Sequence, residues 1–309
     1  MNMNSENNIR VFVPGRISGF FKILYTTQNS KIKLHGSLGA GPNLEIGGYT
    51  SIKIIDDSRK KISVFINGRL EENAVTSLNV IKLLMPAEFD NSIEIHHHID
   101  VPIGCGYGAS GIGALGLAAA LNIILDLKLT YNQVGEIAHK AEIMAKTGLG
   151  TVGPQLLGGF TITRRGGPPG KNLIDKLFVP EDYIIITSSF GPINTRTILS
   201  REDIFDDINF HGAKCLKKML KSPSIPNFLR LSREFAEQLD FITPRVSEVL
   251  EKLDEINVNS SMCMIGETVF TIINKRLEPS VVKVLENFFE RKNIIITSIN
   301  NTGLRVYYR

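Results

Sequence analysis

The sequence predicts an α+β chain in which strands and capped helices meet at a glycine-rich turn, and three observations carry that prediction. Runs that alternate apolar and polar residues, such as Ile93 to Val101, mark half-exposed strands of an antiparallel sheet. Runs with helical spacing, among them Glu72 to Met85 and Tyr131 to Lys146, are interleaved with them. The stretch Val101 to Leu115, V-P-I-G-C-G-Y-G-A-S-G-I-G-A-L, places five glycines within ten residues and opens onto an alanine-rich apolar run to Leu127. At 309 residues the chain is long enough for one large domain or two smaller ones sharing a cleft.

In chain order, Ile9 to Val13 reads as a short strand stopped by Pro14-Gly15, with Arg16 directly after it. Gly36 to Gly41 and Gly47-Gly48 bracket the apolar strand segments of a meander. Leu44 to Asp56 and Lys61 to Ile66 are strands, and Asn67-Gly68 is a tight-turn signal. Glu72 to Met85 is a helix with Ala74, Leu78, Ile81 and Met85 on one face, ending before Pro86. In the strand that follows, Ile93, Ile95, His97, Ile99 and Val101 share a face opposite Glu94, His96, His98 and Asp100. His97 therefore reads as a hydrogen-bonded core histidine rather than a substrate contact. Adjacent histidines on a strand point to opposite faces, so the run of three is no zinc site.

Glycines let the backbone approach a ligand closely, and a helix start offers unpaired N–H groups and the positive end of its dipole, a ready site for phosphate. Gly104, Gly106 and Ala109 satisfy a loose dinucleotide pattern, but the preceding strand alternates instead of being buried on both faces. A Walker loop needs a lysine that is missing here. Close packing alone is the bland alternative. The serine at the helix start, Ser110, favours phosphate, because its hydroxyl reaches a phosphate-bound Mg²⁺.

Thr130-Tyr131-Asn132-Gln133 is a capping box that starts the helix Tyr131 to Lys146. Its apolar stripe is Val134, Ile137, Ala138, Ala141 and Ala145, with Glu142 at the border, about 80° from Val134 and turned partly inward. An inward acid needs a partner. Beyond it come strands at Phe160 to Arg165 and Tyr183 to Ser189, separated by the boundary-like loop G-G-P-P-G at Gly166 to Gly170. Helical patterns fill Arg201 to Leu220 and Asn227 to Leu253, the latter broken at Pro244. A strand, helix, strand set closes the chain: Met262 to Ile273, Pro279 to Arg291 and Asn293 to Ser298.

A formal charge of +4, with acids and bases interspersed, gives no stripe for nucleic acid. The three cysteines, Cys105, Cys215 and Cys263, are scattered and odd in number, so a reducing compartment is expected. The polar start is no secretion signal, and the longest apolar stretch is broken by Asn122 and Asp126. The expectation is a cytoplasmic protein with no membrane partner. Small residues on helical faces permit a homodimer without requiring one.

The pattern P-x-G-x-G-x-G-x-S-x-x-x-A-L resembles the ATP loop of the GHMP small-molecule kinases. Within that superfamily the chain is most similar to the archaeal pantoate kinase family, through V-P-G-R-I-S-G-F-F at Val13 to Phe21, G-S-L-G-A-G at Gly36 to Gly41, and S-S-M-C-M-I-G-E-T-V-F at Ser260 to Phe270. The resemblance implies a two-domain α+β fold: a ribosomal-protein-like N-terminal ATP-binding half at 1–165 and a ferredoxin-like half at 166–309. It implies ATP and Mg²⁺ as cofactors and a small anionic hydroxy acid as acceptor. Nucleotide contacts fall on Pro102, Gly104, Gly106, Tyr107, Gly108, Ala109, Ser110, Gly111 and Gly113, and the metal on Ser110 and Glu142. Arg16 is offered to the transferred phosphoryl group, a role suited to a guanidinium fork. His35, Ser37, Thr151, Arg165 and Gly266 are candidate acceptor contacts beside Arg16. The implied activity is phosphorylation of pantoate to 4-phosphopantoate, a step towards coenzyme A.

One position departs from that pattern. In T-G-L-G-T-V-G-P-Q-L-L-G-G-F, Thr147 to Phe160, Thr151 occupies the place where relatives usually carry the aspartate that serves as base. A general base contributes about 10² to 10⁴ in rate, whereas positioning and charge stabilisation carry most of a loose phosphoryl transfer. A neutral hydroxyl there also admits a more anionic acceptor, and with Arg164-Arg165 downstream it points to an alternative: a mevalonate 3-phosphate 5-kinase of an archaeal mevalonate pathway. A third reading, of another class, is a silent nucleotide or metabolite sensor.

Overall fold

A computed structural model gives the fold and describes residues 9–28, 31–57, 59–192, 202–264 and 266–308. The first sheet contains β1 (Ile9–Arg16), β2 (Phe20–Gln28), β3 (Lys31–Ile55), β4 (Ile62–Ile66), β5 (Arg69–Leu70), β6 (Ser92–Ile99), β7 (Phe160–Arg165), β8 (Leu173–Leu177) and the last strand, β13 (Arg305–Tyr308). Its main path runs β13-β1-β3-β6-β4-β5, while β2 and β7 both pair with β3, and β8 pairs with β7. The expected meander is one long strand: the first half of β3 pairs with β2 and β7, and the second half with β1 and β6. Its glycines permit this because neighbouring strands cross very close to them. A Cβ on Gly41 would overlap the Ile17 carbonyl, and one on Gly47 the Val13 carbonyl. Likewise β1 does not stop at Pro14-Gly15 but continues to Arg16 through a register shift at that dipeptide.

Helices α1 (Val75–Leu84), α2 (Ala109–Ile124) and α3 (Tyr131–Ala145) cover one side of this sheet. Every residue of α2 from Gly111 to Leu121 is buried, as expected of a helix that is apolar or small all round. The capping box at the start of α3 is formed: Gln133 Oε1 accepts from the Thr130 amide at 2.8 Å, and Thr130 Oγ1 from the Gln133 amide at 3.4 Å. His97 is the core histidine its position predicts. Its Nδ1 lies 2.9 Å from Thr50 Oγ1 and its Nε2 3.1 Å from Ser77 Oγ, and burial lowers its pKa to about 4. Asn67 and Gly68 both have positive φ, as the predicted hairpin turn requires.

The short helix α4 (Val152–Leu157) leads into β7. The second sheet has the order β10 (Ser260–Met262), β11 (Glu267–Asn274), β9 (Tyr183–Gly191), β12 (Ile295–Thr297). Helices α5 (Phe205–Lys221), α6 (Ile225–Gln238), α7 (Pro244–Asp254) and α8 (Glu278–Leu285) accompany it. The predicted start of α5 at Arg201 lies outside the described residues. What reads as one strand from Met262 to Ile273 is the hairpin β10–β11. The G-G-P-P-G loop sits inside the β7–β8 hairpin of the first sheet, and β13 returns to pair with β1. The chain thus crosses to the second sheet after β8, not at Arg165, and comes back at its end. Phe228 of α6 packs against Phe20 and Phe160 of the first sheet and Phe270 of the second, with centroids 4.8 to 6.1 Å apart, so both sheets share one core.

Candidate active site

A cleft of about 690 Å³ opens where the 104–108 loop, the start of α2, the 147–151 turn and the first half of β3 converge. Gly104, Gly106 and Gly108 all have positive φ, a backbone that side chains rarely tolerate. Gly108 is the N-cap of α2 with φ 70°, and no side chain caps the helix, leaving the N–H groups of its first turn for an anion. The loop's carbonyls are tied back into the protein. The Cys105 carbonyl accepts from Thr268 Oγ1 at 2.7 Å, the Tyr107 carbonyl from the Arg16 amide at 2.9 Å, and the Gly108 carbonyl from Gln155 Nε2 at 3.1 Å. Peptide carbonyl and N–H point in opposite directions, so this anchoring turns N–H groups outward into a concave, anion-binding nest.

Ser110, in the first turn of α2, donates to Glu142 Oε1 of α3 at 2.6 Å, although the two are 32 residues apart. Glu142 is only 1% exposed, and its other carboxylate oxygen, Oε2, has no partner. Burial raises its pKa to about 7, with the Ser110 hydrogen bond pulling the other way. A Cβ on Gly148 would overlap this carboxylate, so the glycine of T-G-L-G makes room for it. A buried acid with an orphan oxygen beside a hydroxyl and a phosphate-type helix start fits a hard cation that brings its own waters. A protein-only cage is absent: among the described residues no three His, Cys, Asp or Glu cluster.

Arg16 lies beside the loop, at the end of β1, 4% exposed yet lining the cleft. Its Nη1 donates to the Gly41 carbonyl at 3.0 Å and to Thr161 Oγ1 at 2.6 Å, its Nε is unpartnered, and burial lowers its pKa to about 9. The guanidinium is therefore still a cation at neutral pH, aimed by neutral acceptors and with no carboxylate paired to it among the described residues. Ser37 and Thr151 line the same cleft with Ser18 and Thr163.

Other expected positions lie elsewhere. His35 is exposed and bonds through Nε2 to Thr26 Oγ1 at 2.8 Å, away from the cleft lining. Arg165 is exposed and donates to the Lys171 carbonyl, and Arg164 pairs with Asp175 at 3.5 Å; neither lines the cleft. Thr163 lines it instead, and a register shift between Thr163 and Arg165 breaks the alternation that would put both on one face. Gly266 packs on the Cys105 backbone and so holds the loop from behind. Tyr107 offers only backbone, since its ring is buried and its hydroxyl shares a 2.8 Å hydrogen bond with Thr187. Gly111 and Gly113 face Gln155 and His97. Pro102 is half-buried beside the lining, which takes Ile103 instead. Sequence reasoning missed Gln155, Thr161 and Thr268, polar residues whose only signal would have been their burial.

An anion-holding helix start, a carboxylate–hydroxyl pair and a buried cation on one cleft define a phosphoryl-transfer enzyme. Residues 74–159 match the family model described as GHMP kinases N terminal domain. The chain is 35% identical to a pantoate kinase of Thermococcus kodakarensis over 86% of its own length and 87% of that protein. It is 34% identical to a pantoate kinase of Methanocaldococcus jannaschii, over 90% of this chain and 97% of that one. A solved structure described as a phosphotransferase related to the CoA biosynthesis pathway superposes with a TM-score of 0.85 at 31% identity, covering 97% and 98% of the two chains. The chain belongs to the pantoate kinase family of the GHMP kinases, ATP-dependent phosphotransferases with an alcohol group as acceptor. Among the described residues no helix is long and apolar enough to cross a membrane.

Proposed function

We propose that this chain transfers the terminal phosphoryl group of ATP to the hydroxyl of pantoate, giving 4-phosphopantoate. The observation that carries the chemistry is the Ser110–Glu142 pair with its orphan oxygen, set at the uncapped start of α2 in the cleft that Arg16 lines. The acceptor's identity follows from the full-length relatives. In this reading the N–H groups of the loop and the first turn of α2 hold the phosphate chain. Ser110 and Glu142 hold Mg²⁺, which when bound neutralises charge on the phosphates. Arg16 stabilises charge on the moving group, held in place by Gly41 and Thr161. Thr151 positions the attacking hydroxyl by hydrogen bonding. In this reading Glu142, behind Ser110, is committed to the metal and Thr151 carries no carboxylate, so no carboxylate base is assigned and the proton of that hydroxyl passes to water. A loose transition state tolerates this, because the nucleophile's proton is lost late.

The phosphorylated-acceptor reading loses one of its two supports, since Arg164 and Arg165 are engaged outside the cleft. Thr151 remains. A coupled ADP-release assay with pantoate and with mevalonate 3-phosphate decides between them, with turnover expected on pantoate. Exclusive turnover of mevalonate 3-phosphate would overturn the proposal in favour of the phosphomevalonate-type kinase. Nucleotide binding without turnover of any hydroxy acid would instead make the chain a sensor.

A further inference from the structure

We infer that Gln155 is a positioning residue that holds the phosphate loop in register with the strand carrying Arg16. This rests on the kinase reading of the cleft, but on no particular acceptor. Gln155 is fully buried (0% exposed), an unusual place for a long amide unless it is hydrogen-bonded. Its Nε2 donates to the Pro14 carbonyl of β1 at 2.9 Å and to the Gly108 carbonyl of the loop at 3.1 Å. One amide group thus bridges the residue two before Arg16 and the residue two before Ser110. Its backbone belongs to α4, where its N–H donates to the Thr151 carbonyl at 3.0 Å, so Thr151 is tied into the same unit.

The arrangement leaves a mark that folding alone does not require. Gln155 Oε1 is buried with no donor, an unfavourable state accepted in order to place both N–H bonds where they are. It also presses on α2 at Gly111, where any Cβ would overlap Oε1. The glycine loop has little stiffness of its own, so its aim depends on outside anchors: the Arg16 amide ties the Tyr107 carbonyl to β1 directly, and Gln155 adds a second link, from the Pro14 carbonyl to that of Gly108. Glycine at 111 therefore serves the amide behind the helix, and the nucleotide only through it.

The test uses Gln155→Met, which keeps length and bulk but donates nothing, Gly111→Ala, which pushes on an intact amide, and the double variant, all in the full chain. Hydrogen exchange of the Arg16 and Ile112 amides, which donate to the Tyr107 and Gly108 carbonyls of the loop, is expected to quicken about tenfold without ligand in Gln155→Met, the loss of one net hydrogen bond, with the rest of the chain unchanged. With MgATP and pantoate, kcat is expected to fall about 10²-fold while the KM for pantoate stays within about threefold. Gly111→Ala should show the same pattern alone and add less than about twofold on top of Gln155→Met. Unchanged exchange at these two amides, exchange raised evenly through the chain, or effects of the two substitutions that simply multiply would each overturn the inference. If Gln155→Met fails to fold, exchange at the same amides in Gly111→Ala decides the matter by the same criteria. Exchange needs no acceptor, so a wild type inert towards pantoate would count against the proposed function and leave this result intact.

Discussion

Ser110 Oγ donates to Glu142 Oε1 at 2.6 Å, bridging the first turn of one buried helix and the last turn of the next while Glu142 Oε2 stays unpaired. Removing either side should be costly to catalysis and mild for the fold. Ser110→Ala and Glu142→Gln are each expected to lower kcat/KM by two or more orders of magnitude at fixed Mg²⁺, with excess Mg²⁺ restoring part of the Ser110→Ala loss. Mg²⁺ titrations of steady-state rates check this, and unchanged rates would remove both residues from the metal site.

The same carboxylate makes stability depend on pH with a defined sign. Its folded pKa, about 7, lies above the ordinary glutamate value of 4.5. Between those values the folded chain holds a proton that the unfolded chain has lost, so Glu142 weakens the metal-free fold as pH rises through this window. The slope is at most about 1.4 kcal/mol per pH unit and vanishes above the folded pKa. Thermal unfolding across this window, wild type against Glu142→Gln, should show the variant losing less stability on the alkaline side. Mg²⁺ competes with the proton, so its affinity for the wild type should rise over the same window.

Arg16 offers a cation held by the neutral acceptors Gly41 and Thr161, with no carboxylate partner among the described residues. Arg16→Met is expected to lower kcat by about 10² to 10³. Arg16→Lys should recover only part, because one ammonium cannot reach Gly41 and Thr161 and still face the cleft. Single-turnover rates measured at saturating nucleotide separate this from weakened binding.

Thr151 lines the cleft with a hydroxyl and no carboxylate of its own. If positioning dominates, Thr151→Val should cost less than about tenfold in kcat, well below the loss of a general base. A loss of about 10³ or more would show that the hydroxyl does more than orient the acceptor.

Two glycines of α2 should behave in opposite ways. A Cβ on Gly113 would meet His97 at an ordinary 3.7 Å, so Gly113→Ala is expected to stabilise by up to about 1 kcal/mol without changing nucleotide affinity. A Cβ on Gly116 would overlap Thr50 Oγ1, the partner of His97 Nδ1, so Gly116→Ala should destabilise by about 1 to 3 kcal/mol. Chemical denaturation of the two variants gives the comparison.

Much of the site is legible in the sequence because its chemistry is local. The glycine run, Ser110 at the helix start and the capping box that phases Glu142 inward are neighbours in sequence, and helical geometry converts their spacing into direction. Arg165 misleads for the complementary reason. Its charge is visible in the sequence, but the register shift between Thr163 and Arg165 is not: Thr163 lines the cleft, and the next two side chains go to Asp175 and the Lys171 carbonyl. The 25-residue β3 reads as a meander because glycine signals a turn and a close strand crossing alike. The strand β13 gives no signal of its own, and its place beside β1 depends on a partner at the other end of the chain.

By itself the sequence determined the elements whose cause lies within one or two turns of chain: the anion-binding start of α2, the inward Glu142, the core His97, and the family to which they point. The tertiary structure alone decided which distant groups meet there. Gln155 under Gly108, Arg16 braced by Thr161 and the return of β13 are long-range hydrogen bonds whose partners the local pattern does not specify.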